Sequence, residues 1–575
     1  MKIFMRFFRE YPKESILAPL FKLLEACFDL LVPMVVAVII DEGIGKGRRD
    51  IVFGYVAVLV VLAVVGLTCA LCAQYFAAKA AVGTAAKLRR QLFAHMQSFT
   101  YAQTDQMGTS SMITRMTSDI NQLQSGINMT LRLFLRSPII IFGAWIMAAT
   151  ISPSLSGIFA VTIPLLSVVV FGIMLGGIPL FKKVQQRLDK VTATTRENLA
   201  GVRVIRAFGK EEEEMAAFET ANRQQTSLQN KAGILTSLMN PLTYVLVNLA
   251  VILLLDRGAV SVSVGSITQG ELVALINYMG QILVELIKLA STVFLVTKAV
   301  ACGNRVGAVL DMPTGMDISQ SQEETPENPP VVAFDHVTLC YHEGSHPSLL
   351  DIHFAVERGQ TVGIIGGTGS GKTSLVNLIP RFYDATEGAV LVDGLDVKSY
   401  DPVTLRQKIG IVPQKAELFK GTVASNLLWG NPDATEDEMW QALTDAQATD
   451  FVRDKEGMLA APVEQRGRNF SGGQKQRLTI ARALVGRPEI LILDDSSSAL
   501  DFATDAKLRM AIKSLPYRPT TFIISQRTSS IRHADLIVVL DEGRMVGLGK
   551  HDDLLQTCDT YREIHLSQFK GGEAQ

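Results

Sequence analysis

Six long apolar segments in the N-terminal half constrain this chain more than any other feature. Each is close to the ~20 residues that a helix needs to cross a bilayer. They lie at about 16–40, 52–78, 131–151, 155–180, 233–256 and 271–297. Hydrophobic residues make up 48% of the chain and charged residues 19%, which is unusual for a soluble protein. The sequence therefore predicts a membrane domain of six helices, with both of its ends on the same side.

Two long polar stretches indicate the orientation of these helices. They follow the second and the fourth apolar segment and are rich in Lys and Arg, which is typical of cytoplasmic segments. The loop "DEGIGKGRRD" weakens this argument, because it carries three basic residues and should face outward. The stronger argument comes from a nucleotide site further along the chain, since ATP is in the cytoplasm. We expect an inner or plasma membrane protein with both termini and the nucleotide domain in the cytoplasm.

The domain boundaries follow from composition. We predict a transmembrane domain at 1–311, an acidic, Pro-rich linker at 312–330 and a nucleotide domain at 331–575. From 331 onward, short β-branched runs alternate with polar helical stretches, which predicts an α/β fold. The formal net charge of -1 gives no reason to expect nucleic acid as a partner. The basic, amphipathic N-terminus predicts a helix on the membrane surface.

The stretch "GGTGSGKTS" predicts a phosphate-binding loop, because it has the pattern G-x-x-x-x-G-K-[ST] and follows the strand-like run "TVGIIG". In such a loop, backbone N–H groups surround phosphate oxygens, a lysine contacts the β- and γ-phosphates and a hydroxyl binds Mg²⁺. The predicted ATP-binding residues are Gly366, Gly367, Thr368, Gly369, Ser370, Gly371, Lys372, Thr373 and Ser374, with Thr373 also as a metal ligand.

Two further motifs complete the predicted site. "ILILD" places Asp494 at the end of a buried strand, where its carboxylate would hold the metal directly or through water. "NFSGGQKQRLTIARAL" places a second phosphate-binding loop, Ser471, Gly472, Gly473 and Gln474, at the start of another helix. Because the two loops lie at the starts of separate helices, one γ-phosphate cannot contact both loops of a single domain. The sequence therefore predicts a dimer in which each ATP lies between the two chains.

These motifs resemble those of an ATP-binding cassette domain, and the whole chain resembles an ABC exporter half-transporter. The resemblance implies six transmembrane helices of the ABC exporter type plus a C-terminal α/β P-loop NTPase cassette, with ATP and Mg²⁺ as cofactors. It implies that Tyr341 stacks on adenine, although a buried strand tyrosine is the alternative. It also implies that Gln414 reaches Mg²⁺ and that Asp501 belongs to the D-loop. The coupling helices would lie near 107–117 and 207–214.

Two catalytic positions depart from the family pattern. The residue after Asp494 is usually a Glu that polarises the attacking water, and here it is Asp495. Loss of one methylene withdraws the carboxylate by about 1.5 Å, and misplacement of about 1 Å can cost roughly 10²-fold in rate. The usual switch histidine is replaced by Gln526, which cannot carry a positive charge.

We interpret the two departures together as a degenerate site in one subunit of a heterodimer, resembling bacterial exporters of drugs or lipids. This chain would hold Mg-ATP there and would supply its intact Ser471–Gln474 loop to the partner's competent site. Its partners would be a second half-transporter subunit, membrane lipid and an amphipathic small molecule. A slow homodimeric exporter, an ATP-gated channel or regulatory subunit, and an exporter-fold importer remain as alternatives.

Polar side chains inside the apolar segments suggest a substrate cavity. Asn277, Gln281, Glu285 and Lys288 follow one another at steps of 4, 4 and 3, so they share one face of the sixth helix. Lys22, Glu25 and Asp29 form a similar stripe on the first helix. Charges at membrane depth usually face a cavity or a partner. We expect Glu25 and Asp29 to line a translocation cavity with the stripe of the sixth helix; the alternative is that the charges pair with one another.

Overall fold

The computed structural model describes residues 10–316, 328–341, 344, 346–496 and 499–569. The predicted surface helix at the N-terminus, the middle of the predicted linker and Ser498 of the D-loop lie largely or wholly outside these residues. The chain divides into two compact units. One combines Met1–Gln97 with Thr109–Pro313, and the other combines Ser98–Gly108 with Thr314–Gln575.

Among the described residues, the first unit contains six helices that are long and apolar enough to cross a membrane, which confirms the predicted fold class. They are Pro12–Ile44, Arg49–Gln97, Thr109–Ile151, Pro153–Ala200, Glu211–Ser263 and Gln269–Leu310. Their lengths of 33 to 53 residues correspond to about 50 to 80 Å at 1.5 Å per residue. Since the hydrocarbon core is only ~30 Å thick, these helices continue well beyond it.

Turns of π-helix end the first of the long helices and divide the third. The helical elements are α1 (Pro12–Val38), α2 (Arg49–Gln97), α3 (Tyr101–Met107), α4 (Thr109–Thr114), α5 (Ile120–Met129), α6 (Arg136–Ile151), α7 (Pro153–Ala200), α8 (Val202–Ala207), α9 (Glu211–Ser237), α10 (Met239–Ser263) and α11 (Gln269–Leu310). The π-helical turns are Ile39–Ile44, Arg115–Asp119 and Thr130–Phe134.

The core of the membrane unit forms around α11, which has buried residues along most of its length. Residues of α1, α6, α7 and α10 pack against this helix in one apolar cluster. A capping box of Thr268 and Glu271 starts α11, and Asp41 binds the same end. The Asp41 carboxylate accepts hydrogen bonds from the Thr268 hydroxyl at 2.5 Å and the Gly270 N–H at 2.8 Å. Asp41 therefore fixes the end of the first span against the start of the sixth.

The second unit is built on two larger sheets and a short ribbon. Its strands are β1 (Val332–Leu339), β2 (Leu349–Val356), β3 (Thr361–Gly366), β4 (Glu387–Val392), β5 (Leu395–Asp396), β6 (Ile409–Val412), β7 (Gly421–Thr422), β8 (Pro462–Val463), β9 (Ile490–Asp494), β10 (Thr520–Ile524), β11 (Leu536–Asp541) and β12 (Arg544–Gly549). The larger sheet has the order β12-β11-β3-β10-β9-β6, and the other has the order β2-β1-β4-β5.

The larger sheet brings the predicted site residues to one edge. Strands β11, β3, β10, β9 and β6 are parallel, and only β12 is antiparallel to its neighbour. The carboxyl ends of β3, β10 and β9 therefore lie side by side, which is where ligands bind in open α/β sheets. The phosphate loop follows β3, Asp494 ends β9 and Gln526 follows β10.

The helices of this unit are short. Most of them pack around two large apolar clusters, and the last three pack around a smaller one. The helices are α12 (Lys372–Leu378), α13 (Pro402–Gln407), α14 (Val423–Leu427), α15 (Glu436–Asp445), α16 (Thr449–Arg453), α17 (Gly472–Val485), α18 (Phe502–Lys513), α19 (Thr528–Ile531), α20 (His551–Thr557) and α21 (Asp559–Phe569). One large cluster fills the space between the two larger sheets. The other large cluster fills the helical part around α15 and α17.

Helix α3 belongs to the second unit although it lies between α2 and α4 in sequence. A capping box of Thr100 and Gln103 starts it, and it ends at Gly108, whose φ of +73° suits glycine. The Tyr101 ring stacks on Phe382 with centroids 4.1 Å apart. The sequence prediction put the first coupling helix at 107–117, but the segment that packs on the nucleotide unit is 98–108.

Candidate nucleotide-binding site

The turn between β3 and α12 has the backbone geometry that a phosphate loop needs. Gly369 and Gly371 have φ values of +84° and +95°, a region that L side chains rarely adopt. Space is also restricted. A Cβ at Gly371 would lie 2.6 Å from the Ser348 carbonyl oxygen, and one at Gly366 would lie 2.0 Å from that of Leu540. Backbone conformation therefore requires glycine at 369 and 371, and packing requires it at 366 and 371.

Lys372 is folded against the loop that it follows. Its Nζ donates hydrogen bonds to the carbonyl oxygens of Gly366 at 3.0 Å and Gly367 at 2.6 Å. Burial lowers the pKa of Lys372, and the nearby Asp495 and Asp494 carboxylates oppose this shift. The Ser370 hydroxyl oxygen also lies 3.4 Å from Nζ. A buried ammonium held by carbonyl and hydroxyl oxygens is well placed to exchange them for phosphate oxygens.

Thr373 and Asp494 form the part of the site that could hold a metal ion. The Thr373 hydroxyl donates to the two carboxylate oxygens of Asp494 at 3.2 and 3.1 Å. Asp494 is buried, and burial raises the pKa of its carboxyl, with a smaller contribution from the Asp495 charge. A hydroxyl and a carboxylate in contact at a phosphate loop are ligands that Mg²⁺ prefers. The residues present therefore fit a magnesium ion beside bound phosphate.

Asp495 has an unusual backbone, with a φ of +44° for a residue other than glycine. Its N–H donates to the carbonyl oxygen of Ile524 at 3.0 Å, across the gap between β9 and β10. Its Oδ2 lies 3.5 Å from the Gln414 amide nitrogen. Burial raises the pKa of Asp495, while the hydrogen bond from Gln414 lowers it. The structure thus brings Asp495 and Gln414 together next to Asp494.

The turn that carries Gln526 is held from the C-terminal helix, a feature that the sequence did not reveal. Gln568 of α21 donates its side-chain N–H to the Gln526 carbonyl oxygen at 2.7 Å. The same amide accepts from the Thr528 N–H at 2.9 Å and from its hydroxyl at 3.1 Å. Nothing local marks Gln568 for this contact, because it is 42 residues from Gln526 in sequence.

Tyr341 lies beside the start of α12 and is accessible. The residue is 38% exposed, in contrast to a buried strand tyrosine. Its hydroxyl donates to the Ser374 hydroxyl at 2.8 Å. Tyr383 contacts the Tyr341 ring edge to face, with centroids 4.9 Å apart, and donates its hydroxyl to Asp105 at 2.6 Å. The site therefore offers an aromatic surface for a base, and Tyr383 is a neighbour that sequence reasoning missed.

The second phosphate-binding loop starts α17, a different helix from the one that follows the first loop. Ser471 and Gln474 form a capping box, with N–H to oxygen distances of 3.0 and 3.3 Å. Gly472 is exposed, and a Cβ there would meet nothing within 4 Å. This helix N-terminus is therefore accessible to a ligand. Asp501 caps α18 by accepting from the Thr504 N–H at 2.9 Å and its hydroxyl at 2.8 Å.

The charged side chains of the membrane unit meet around Arg136, which the sequence analysis did not select. Its guanidinium donates to Glu285 at 2.5 Å and to Asp29 at 2.8 Å. Glu285 is only 3% exposed and also accepts from the Ser137 hydroxyl at 2.9 Å and from Lys288 at 3.0 Å. These contacts agree with the alternative that the charged stripes pair with one another, at least for Glu285.

The remaining predicted cavity residues are placed differently. The Asn277 amide donates to the Val273 carbonyl of its own helix at 3.1 Å. The Gln281 side-chain oxygen is buried and has no hydrogen-bond partner among the described residues. Glu25 and Asp29 line an open, mainly apolar groove of about 480 Å³ between α1 and α2. The structure thus brings the charged residues together, but it does not add Asn277 or Gln281 to that cluster.

Comparisons with known proteins cover both units. The family model described as ABC transporter transmembrane region matches residues 15–286, and the one described as ABC transporter matches residues 349–498. An uncharacterized ABC transporter ATP-binding protein of Mycobacterium tuberculosis is 36% identical over 571 residues, which are 97% of each chain. The ABC transporter ATP-binding protein YfiB of Bacillus subtilis is 35% identical over 565 residues, which are 98% of each chain.

Two further similarities concern a named substrate and a solved structure. A fatty acid ABC transporter ATP-binding/permease protein of Mycobacterium tuberculosis is 35% identical over 456 residues, 79% of this chain and 71% of that protein. The structure of a bacterial Atm1-family ABC exporter with ATP bound covers 99% of each chain with a TM-score of 0.80 and 24% identity. At that identity, the likeness shows a shared fold.

Proposed function

Because the chain belongs to the ABC transporters, as a half-transporter with the exporter fold, we propose that it is the degenerate-site subunit of a heterodimeric exporter. It is a multi-pass membrane protein whose cassette is cytoplasmic and binds ATP, and ABC cassettes couple ATP hydrolysis to transport. This subunit would hold Mg-ATP at its own phosphate loop with little hydrolysis, and it would complete the partner's site.

The observation that carries the proposal is the pair of residues at the catalytic positions. Asp495 is one methylene shorter than the Glu that usually polarises the attacking water, and its Oδ2 lies 3.5 Å from the Gln414 amide nitrogen. A general base must come within hydrogen-bond reach of the water that it activates. Gln526 replaces the histidine that would stabilise the leaving phosphate with a positive charge. Each change reduces hydrolysis, and neither one prevents nucleotide binding.

The binding machinery is complete, which favours a subunit that holds nucleotide. The phosphate loop, Lys372 and the Thr373–Asp494 pair have the geometry described above. Mg²⁺ would be held by Thr373, Asp494 and Gln414, and it would neutralise phosphate charge. Tyr341 would stack on the adenine. The intact Ser471–Gln474 loop would contact the γ-phosphate bound to the partner's cassette.

For the cargo, we propose an amphipathic or lipid-like small molecule. The groove lined by Glu25 and Asp29 is mainly apolar with two carboxylates at its edge, which suits a molecule with an apolar body and a polar end. A relative named as a fatty acid transporter is consistent with a lipid-like cargo. The polar residues Asn277, Gln281, Glu285 and Lys288 would then support the bundle more than they would contact cargo.

The decisive experiment compares ATPase rates of the purified chain alone and with a second half-transporter encoded by a neighbouring gene. We expect the chain alone to bind ATP and to hydrolyse it very slowly, and the pair to hydrolyse it. Asp495→Asn should leave the activity of the pair nearly unchanged, whereas loss of the partner's own catalytic Glu should abolish it. Lys372→Ala in this chain is the binding control, because it removes the cation of the phosphate loop.

A gain-of-function variant tests the same reasoning in the self-paired chain. Asp495→Glu combined with Gln526→His should raise its hydrolysis by roughly 10²-fold or more, since about 10² is attributed to carboxylate position alone. Asp495→Glu alone and Gln526→His alone are the matched controls, because each restores one of the two catalytic groups. Rapid hydrolysis by the unmodified chain alone would instead support a homodimeric exporter and refute the division of labour.

A further inference from the structure

The antiparallel sheet of the cassette contains an irregular segment that places three polar residues together. Strands β1 and β2 pair Phe334 with Phe354 and then Val337 with Ile352. Asp335 and His336 on β1 therefore lie opposite the single residue His353 on β2, which is the arrangement of a β-bulge. Side chains normally alternate across a strand. Both Asp335 and His336 are nevertheless exposed, because the bulge turns them to the same face.

The bulge is supported by unusual backbone conformations on three strands. His336 has a φ of +49° and Asp351, on β2, has a φ of +52°. Non-glycine residues rarely adopt this region, because it strains the backbone. On β4, Gly388 has a φ of +77°, and a Cβ there would lie 2.3 Å from the His336 carbonyl oxygen. Only glycine therefore lets β4 pass next to the bulge.

The exposed side chains of this bulge form a compact set of nitrogen and oxygen donors. One donor atom from each of Asp335, His336 and His353 lies within 4.8 Å of the other two. The two imidazole rings are stacked with centroids 4.8 Å apart. His353 lies 3.4 Å from Asp335, and the His336 Nδ1 lies 2.6 Å from an Asp351 carboxylate oxygen. All four side chains are more than half exposed, so a hydrated ion could reach them.

This donor set matches a particular class of metal ion. Two imidazoles and a carboxylate suit Zn²⁺ and similar divalent transition metals, whereas Mg²⁺ and Ca²⁺ prefer oxygen ligands. Donors around a tetrahedral ion with bonds of about 2.1 Å lie about 3.4 Å apart. Small rotations of exposed side chains would bring the present donors to that spacing. Asp351 fits the position just outside the metal ligands. There, a carboxylate that is hydrogen-bonded to a ligating histidine fixes the tautomer of that histidine.

We propose that Asp335, His336 and His353 form a surface binding site for a divalent transition-metal ion of the zinc class, with Asp351 orienting His336. The site is distinct from the nucleotide site, since all four residues lie on β1 and β2 of the smaller sheet. An ion bound there would join the two strands across the bulge. Metal binding at this site does not depend on whether the nucleotide site is degenerate.

The test uses the full-length chain in detergent, without a histidine tag and with excess Mg²⁺ to occupy oxygen-rich sites. Titration with Co²⁺, followed by its visible absorption, should show one ion per chain with micromolar affinity, and Zn²⁺ should displace it. His336→Ala combined with His353→Ala should weaken binding by at least about 100-fold. Asp351→Asn should weaken it by about 10-fold, the lower end of the effect of an outer-shell partner.

His533→Ala is the matched control, because His533 is an exposed histidine outside the bulge. We expect it to bind Co²⁺ as the unmodified chain does. ATP binding measured on every variant shows that the cassette remains folded. Equal Co²⁺ affinity in the double His variant and the unmodified chain would overturn the proposal, as would the absence of binding at millimolar Co²⁺.

Discussion

Arg136→Leu is the substitution whose effect follows most directly from the membrane unit. Arg136 is almost buried, with 11% of its side chain exposed. The Glu285 side chain is only 4% exposed. The cluster around them contains three cations and three anions: Lys22, Arg136 and Lys288 against Glu25, Asp29 and Glu285. Its net charge is zero. Removing Arg136 leaves two cations and three anions, a net charge of -1, while Glu285 stays buried.

The expected cost of this change is large. Breaking a buried ion pair by deleting one partner costs about 3–5 kcal/mol, because the other charge stays buried without compensation. Glu285 would keep its contacts with Ser137 and Lys288, so we expect a value near the lower end, about 3 kcal/mol. At about 1.4 kcal/mol per tenfold, this is a change of roughly 100-fold in the unfolding equilibrium.

A second variant separates charge balance from loss of packing. Arg136→Leu with Glu285→Leu leaves Lys22 and Lys288 against Glu25 and Asp29, so the net charge returns to zero. Replacing both members of a buried pair by apolar residues is often neutral or stabilising. The double variant should therefore be more stable than Arg136→Leu alone. Lys288→Met is the control for net charge, because it also leaves the cluster at -1 but removes a cation that is 44% exposed. Glu285 keeps Arg136 in this variant, so we expect a cost of only about 0–1 kcal/mol.

The measurement is equilibrium unfolding of the full-length protein in mixed detergent micelles, monitored by tryptophan fluorescence and repeated by circular dichroism. The reasoning is refuted if Arg136→Leu is as stable as the unmodified protein. It also fails if the double variant is less stable than the single one. Unchanged stability together with an altered stimulation of ATPase by transport substrates would return Glu285 to the predicted substrate cavity.

Three further predictions concern the cassette. Tyr383→Phe removes the hydroxyl that donates to Asp105, a hydrogen bond worth about 1 kcal/mol. We expect unchanged ATP affinity and a several-fold smaller stimulation of ATPase activity by transport substrate. Gln568→Ala removes the hydrogen bonds that hold the turn after β10, so amide exchange in that turn, measured by mass spectrometry, should rise about tenfold or more; unchanged exchange would contradict this role. Burial lowers the pKa of His551, whose ring nitrogen lies 2.7 Å from the Tyr561 hydroxyl. The unfolded chain therefore binds more protons, and stability should fall as the pH drops below about 6.5; His551→Gln should show a smaller loss between pH 7.5 and 5.5 in thermal unfolding.

The division into six membrane helices and an α/β cassette could be predicted because both depend on local properties. A run of about 20 apolar residues must form a helix in lipid, since its backbone groups have no other partners there. The phosphate loop is equally local. Its glycines are needed by the backbone within the motif, and Lys372 and Thr373 follow in the first turn of α12. Spacing along the chain is sufficient for such features.

The contacts of Arg136, Gln568 and the segment 98–108 could be known only from the tertiary structure. Arg136 meets Glu285 across 149 positions of sequence and Asp29 across 107. Tyr383 reaches Asp105 across 278. No helical or strand period links residues so far apart, and their meeting depends on how the long helices pack and where the chain leaves one unit for the other. The sequence by itself determined which elements form, because hydrogen bonding within an element is local, and only the fold decided which charges pair, because that pairing depends on distance in space.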